Sequence, residues 1–118
     1  MLAASRRLDN LYAIVDRNGL QISGPTEEQV ALEPLRAKWE AFGFAVEEAD
    51  GHDFEAILAA FARLDAVQGK PKLLLAHAVK GRGISFLENE THSHHAVLSE
   101  DDYGRAKREL LAAAKEVQ

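Results

Sequence analysis

Two stretches of this chain gather side chains that can do chemistry. The first is Asp16-Arg17-Asn18-Gly19-Leu20-Gln21-Ile22-Ser23-Gly24. An asparagine oxygen and a backbone carbonyl are hard ligands suited to Mg²⁺ or Ca²⁺. Asn18 and the carbonyl of Leu20 can present two such oxygens across one sharp turn. Two neutral oxygens do not hold Mg²⁺ alone, so a carboxylate or phosphate must come from elsewhere. The same residues also spell an ordinary Asp/Asn/Gly turn, and spacing alone favours that reading. The second stretch, Thr91-His92-Ser93-His94-His95, places three imidazoles within four residues. It can serve as a zinc site, as a catalytic or phosphate-binding loop, or as a merely solvated polar loop. Residue types alone favour the last, since no zinc-finger spacing or helical His-x-x-x-His pair is present. Lys80-Gly81-Arg82-Gly83 is a basic, glycine-rich turn able to meet a phosphate, but it lacks the remaining P-loop pattern. His52 reads as a turn residue and His77 as a core or strand-end histidine. Gly-x-Ser-x-Gly, His-Glu-x-x-His and EF-hand patterns are absent from the sequence.

Three apolar runs must position these loops. Leu11–Val15 and Lys72–Val79 are nearly continuous, as strands buried on both faces of a parallel sheet require. Phe44–Ala49 is shorter and more mixed, which places it nearer an edge. Helices fill the gaps. Glu33-Pro34 puts proline where a first turn tolerates it, before Leu35, Trp39 and Phe42, and Gly43 ends that helix. Asp53 is the expected N-cap of the next helix, where Phe54, Ile57, Leu58, Phe61, Leu64 and Val67 share a face. Gly69 and Pro71 stop it. Ser99 with Glu100, Asp101 and Asp102 reads as an N-cap followed by acid in the first turn. Tyr103, Ala106, Leu110 and Ala113 or Ala114 line one side of the last helix. The order strand, helix, strand, helix, strand, loop, helix is the α/β pattern. Ligands of such sheets bind beyond the carboxyl ends of the strands, where both chemical stretches fall.

The chain has 118 residues, 47% apolar and 28% charged, without cysteine. That is one domain's worth of chain, and it excludes disorder, collagen-like repeats, a disulfide scaffold and a thiolate zinc site. A net charge of −5 does not advertise nucleic acid or anionic lipid as a partner. No apolar run reaches the roughly 20 residues needed to span a bilayer. The start lacks the apolar region of a signal peptide, so the expected location is cytoplasmic. A three-stranded parallel sheet gives helices little to cover, and the first seven residues look like the tail of a helix. The elements therefore read as a small complete α/β domain or, preferably, as a piece of a larger sheet whose earlier strands lie outside the chain.

Leu8-Asp9-Asn10-Leu11, running through Ile14 to Gly24, resembles the second half of the thiamine-diphosphate motif of transketolases. The likeness continues in register. Glu33-Pro34-Leu35 with Lys38-Trp39, Phe42-Gly43-Phe44 and Asp50-Gly51-His52-Asp53 is similar to the helix, strand and turn that follow. Gly69-Lys70-Pro71 and Ala76 to Phe86 with Glu88-Asn89 resemble the next strand and loop, which His94-His95 closes. The resemblance implies an α/β fold, a small mainly parallel sheet flanked by helices, part of a thiamine-diphosphate-binding fold. Residues 1–118 then form one domain, similar to the C-terminal portion of the transketolase diphosphate-binding domain.

By that resemblance, Asn18 and the Leu20 carbonyl bind the Mg²⁺ that anchors thiamine diphosphate, and Ile22 lies close to the cofactor. His95 faces the diphosphate and substrate, with its neighbour His94 the alternative. The family's Gly-Asp-Gly segment, whose aspartate is a Mg²⁺ ligand, would lie before Met1, and the aminopyrimidine-binding domain is also outside this sequence. The expected function is a transketolase-like subunit or fragment for two-carbon ketol transfer between sugar phosphates, inactive alone. Its expected partner is a second copy or a complementary subunit carrying the aminopyrimidine-binding domain. The alternative is a non-catalytic remnant that oligomerises or binds a partner. A histidine-based metal module requires His92, His94 and His95 to converge.

Overall fold

The computed structural model describes residues 1–116. Along them run α1 (Leu2–Ser5), β1 (Tyr12–Arg17), β2 (Leu20–Gln21), β3 (Gly24–Pro25), α2 (Thr26–Gln29), α3 (Leu35–Ala41) and β4 (Ala45–Asp50). Then follow α4 (Phe54–Asp65), β5 (Lys72–His77), a 3₁₀ turn (Thr91–His95) and α5 (Glu100–Glu116). The expected order of strands and helices holds. A two-residue hairpin and a one-turn helix are added inside the first long loop. The elements form two units, Met1–Asn18 with Val30–Ala78, and Gly19–Gln29 with the residues from Val79 on.

In the first unit β5 lies between β1 and β4, all three parallel. Tyr12 and Ala45 both oppose Lys72, and Arg17 and Asp50 both oppose His77, so the strands end level. The level ends create one carboxyl rim. Strand β5 meets the expectation of two-sided burial, with Lys72 to Leu75 all buried. On one face Leu73 and Leu75 join Phe44 and Val46 beneath Leu35 and Trp39 of α3. On the other, Leu74 joins Ala49 with Ala60 and Leu64 of α4. Trp39 and Phe44 meet edge to face with ring centres 4.9 Å apart, an arrangement favoured by the ring quadrupoles. Between them the chain reverses at Gly43, whose φ is +89° and whose added Cβ would sit 2.7 Å from Ala4 Cβ. Only glycine meets both demands without strain.

Three expectations are corrected. The run Leu11–Val15 is not buried on both faces: exposure alternates along β1, and Ile14 is 62% exposed. Helix α4 packs on β4 and β5, so β1 is an outer strand whose α4-side face stays largely open. On that face Tyr12 reaches an α4 ring, that of Phe61, at 5.9 Å. Second, Phe54 and Leu58 are 82% and 67% exposed, although both fall on the face of α4 expected to be buried. The inward stripe is Ala60 and Leu64, buried, with Ile57 and Phe61 half-buried beside them at spacings of three and four, and Phe54 and Leu58 flank it. Third, Pro34 follows a cis peptide bond and occupies the N-cap of α3, one residue earlier than expected.

The expected caps hold. Asp53 accepts hydrogen bonds from the amides of Glu55 and Ala56, at 2.9 and 3.1 Å. Ser99 Oγ accepts from the Asp102 amide at 3.1 Å. Each satisfies amides that the first helical turn leaves without carbonyl partners. Lys72 is buried as well, but paired: its Nζ donates to the Asp9 carbonyl at 2.6 Å and to the Tyr12 hydroxyl at 3.2 Å. Such pairing is the condition for burying an ammonium at all.

Candidate functional site

The carboxyl rim of the first unit is lined with charge. Arg17, the last residue of β1, directs its Nε and Nη2 to Glu33 Oε1, each at 3.0 Å. Glu33 Oε2 accepts from the Leu35 amide at 2.8 Å, at the start of α3. That backbone bond, and then the Arg17 guanidinium, hold the Glu33 carboxyl below its ordinary value. His77, at the end of β5, is a strand-end histidine as expected, and its Nε2 lies 2.7 Å from Glu48 Oε2. Asp50 accepts from the His52 amide at 2.8 Å, which makes His52 a turn residue, as expected. Asn18 follows Arg17 directly, half-buried, as the last residue of the first unit before the chain leaves it.

The second unit carries the other expected residues. Leu20 and Gln21 pair with Pro25 and Gly24, and Ile22 sits with Ser23 at the hairpin tip, 63% exposed. Gln21 Nε2 donates to Ser23 Oγ at 2.8 Å, and the Thr26 amide closes onto the Gly19 carbonyl at 2.9 Å. Strand β2 contacts the 3₁₀ turn that carries His92, His94 and His95. Leu20 and the histidine turn are thus neighbours in space although far apart in sequence. His94 and His95 are both exposed, with rings edge to face at 4.5 Å.

The three imidazoles do not form a metal site: His92 Nδ1 lies 3.5 Å from Glu90 Oε2, and no group of three or more His, Asp or Glu among the described residues is placed to hold a metal. Part of the Lys80-Gly81-Arg82-Gly83 turn is bonded within its own loop. The amides of Arg82, Gly83 and Ile84 donate to the Val79 carbonyl, Glu88 Oε1 and the Gly81 carbonyl. This loop is also pinned to α5. Glu109 accepts from the Ser85 amide at 2.7 Å and from Ser85 Oγ at 2.9 Å, and Arg105 lies over the Phe86 ring at 4.5 Å. Those Ser85 bonds depress the Glu109 carboxyl below its ordinary value, with Arg105 adding to the effect.

The Mg²⁺ and diphosphate implied by the resemblance can be tested against the donor set. Asn18 and the Leu20 carbonyl are neutral hard oxygens. Gly19 between them turns at φ +75°, and a Cβ there would meet nothing within 4 Å among the described residues. These oxygens suit a hard cation whose negative ligands come from another source. The residues fit as part of a site. Arg17 and Glu33 escape sequence reasoning, because nothing in their separation of sixteen residues signals a contact.

The family model described as transketolase, thiamine diphosphate binding domain, matches residues 1–116. An apulose-4-phosphate transketolase subunit of Phocaeicola vulgatus is 46% identical over 104 residues, which is 88% of this chain and 37% of that protein. The 6-deoxy-6-sulfo-D-fructose transketolase subunit SqwG of Clostridium sp. is 44% identical over 110 residues, 93% of this chain and 40% of that protein. The crystal structure of transketolase from Campylobacter jejuni superposes with a TM-score of 0.83 at 33% identity, covering 92% of this chain and 17% of that one. The chain belongs to the transketolase thiamine-diphosphate-binding-domain family, and its fold is the α/β fold of that family. It spans about two fifths of the length of the curated subunits it matches. Among the described residues no helix is long and apolar enough to cross a membrane.

Proposed function

We propose that this chain contributes part of a thiamine-diphosphate/Mg²⁺ site for two-carbon ketol transfer between sugar phosphates, and that it is inactive alone. The observation carrying this reading is the family match across residues 1–116, which includes both loops where the chemical residues stand. In this reading Asn18 and the Leu20 carbonyl hold Mg²⁺, and Ile22 supplies an apolar surface beside the cofactor. His95, with His94 as its neighbour, donates hydrogen bonds to the diphosphate or the substrate oxygens. When bound, the cofactor supplies the carbanion chemistry that carries a two-carbon unit from ketose to aldose. The protein's part is to bind, orient and polarise. Near-octahedral Mg²⁺ needs anionic oxygens that Asn18 and Leu20 do not provide, so the remaining ligands come from the diphosphate and from polypeptide outside these 118 residues.

The partner in this reading is a complementary transketolase subunit carrying the aminopyrimidine-binding domain, and the location is the cytoplasm. Two similar proteins are named as transketolase subunits, which supports assembly from separate chains. The alternative, a non-catalytic domain that oligomerises or binds a partner, draws on exposed apolar side chains such as Ile14 and Val97. Mixing the chain with a complementary subunit, then following two-carbon transfer from a ketose phosphate, separates the two. Transfer in the mixture only, reduced by His95→Ala, supports the first reading. A complex that forms yet transfers nothing supports the second.

A further inference from the structure

We infer that the Arg17–Glu33 pair is a clasp that positions Asn18 for its metal, so that both are positioning residues of the proposed site. The inference rests on the reading of Asn18 given above. Ordinary surface ion pairs are loose and contribute little, but this one differs in three respects. The Arg17 side chain is only 11% exposed. Its Nε and Nη2 both meet one carboxylate oxygen at 3.0 Å, which fixes the guanidinium plane. The second carboxylate oxygen is held by the Leu35 amide, so Glu33 is anchored to the start of α3.

The place of the clasp gives it a role. The chain leaves the first unit after Asn18 and returns to it at Val30. Arg17 and Glu33 stand at the two ends of that excursion and join them directly. The Glu33 end is fixed a second time, because Lys38 Nζ donates to the Leu32 carbonyl at 2.7 Å and the Glu33 carbonyl at 3.2 Å. On the strand side, Arg17 opposes His77 in the sheet, and its carbonyl accepts from the Ala78 amide at 3.4 Å. Asn18 is bonded to the residue fixed on all these sides. A metal ligand needs its oxygen held within about half an ångström of the productive position, and a clasp one residue away supplies that restraint.

The test compares Glu33→Ala with Glu47→Ala, which breaks another Arg–Glu pair of the same unit and the same sequence separation, Arg63–Glu47 at 2.7 Å. In the full chain without ligand, the side-chain amide signals of Asn18 are identified in nitrogen-15 spectra by their loss in Asn18→Ala. They are expected to shift and broaden in Glu33→Ala and to stay in place in Glu47→Ala. Unchanged Asn18 signals in Glu33→Ala overturn the clasp, as does an equal change in Glu47→Ala. Thiamine diphosphate with Mg²⁺ is then titrated into the same variants in the presence of a complementary subunit. Glu33→Ala is expected to weaken affinity roughly fivefold in the native background and to have no further effect in Asn18→Ala, the signature of action through one residue. An Asn18→Ala variant that binds like the native chain refutes the metal-ligand reading, and the spectra then still decide whether the clasp orders Asn18.

Discussion

Replacing Gly81 by alanine should cost far more stability than replacing Gly19, although the two backbones are nearly identical. Both glycines belong to the second unit, with φ of +76° and +75°. The left-handed conformation costs an L-residue roughly 1–2 kcal/mol at either position. At Gly19 that is the whole cost, because an added Cβ meets nothing within 4 Å among the described residues. At Gly81 the Cβ would stand 2.6 Å from the carbonyl carbon of Leu87 and nearer still to its oxygen. Backbone atoms cannot swing aside as the end of a side chain does, and overpacking of this kind adds roughly 1–3 kcal/mol. The totals are about 1–2 kcal/mol for Gly19→Ala and about 2–5 kcal/mol for Gly81→Ala. With a urea slope of about 1–3 kcal/mol per molar, the two midpoints should differ by roughly 1 M. Urea unfolding followed by circular dichroism, which reports the seventeen-residue helix α5, is the assay. Equal midpoints, or a milder Gly81→Ala, would show that the loop after β5 is not pressed against Leu87 and would refute the reasoning.

Other outcomes follow from the same structure. Leu64 is 1% exposed in the cluster beneath α4, so Leu64→Ala should lower stability by about 2–5 kcal/mol, read by calorimetry. Asp53→Ala should cost about 1 kcal/mol by removing the cap of α4, and Asp53→Asn should recover most of it. Glu33 and Glu109 both have carboxyls depressed from the ordinary 4.5. Their contribution to stability is therefore full above that value and is lost as pH falls below it through the folded-state values. Melting temperature measured from pH 6 downward should fall less steeply at the acid end in Glu33→Gln and Glu109→Gln than in the native chain; parallel curves would contradict the assignment.

What the sequence discloses follows from which interactions are local. The continuous run Lys72–Leu75 announces a central strand, and Asp53 and Ser99 announce helix starts, because burial of a run and capping of a turn depend on neighbouring residues. Ile14 misleads for the opposite reason. An apolar residue in a strand records what the strand is suited to face, and here α4 covers β4 and β5 instead. The hairpin at Leu20–Gln21 and Gly24–Pro25 is too short to show a period. The three clustered histidines leave zinc open as one reading in sequence; in the structure His92 lies near Glu90 and the rings of His94 and His95 meet edge to face. In the basic glycine turn at 80–83 the sequence does not show that the Arg82 and Gly83 amides bond within the loop. Arg17 and Glu33 are invisible in sequence, since only the level ends of the strands and the start of α3 bring them together.

The proposed role of the turn after β1 is decided by a calorimetric titration of thiamine diphosphate with Mg²⁺ into this chain, alone and mixed with a complementary transketolase subunit, native and Asn18→Ala. Weak or no binding is expected to the chain alone, and clear binding in the mixture. In that mixture Asn18→Ala should reduce affinity at least tenfold, as loss of a metal ligand implies. Binding in the mixture that Asn18→Ala leaves unchanged would contradict that role, because the turn after β1 would then hold no part of the site.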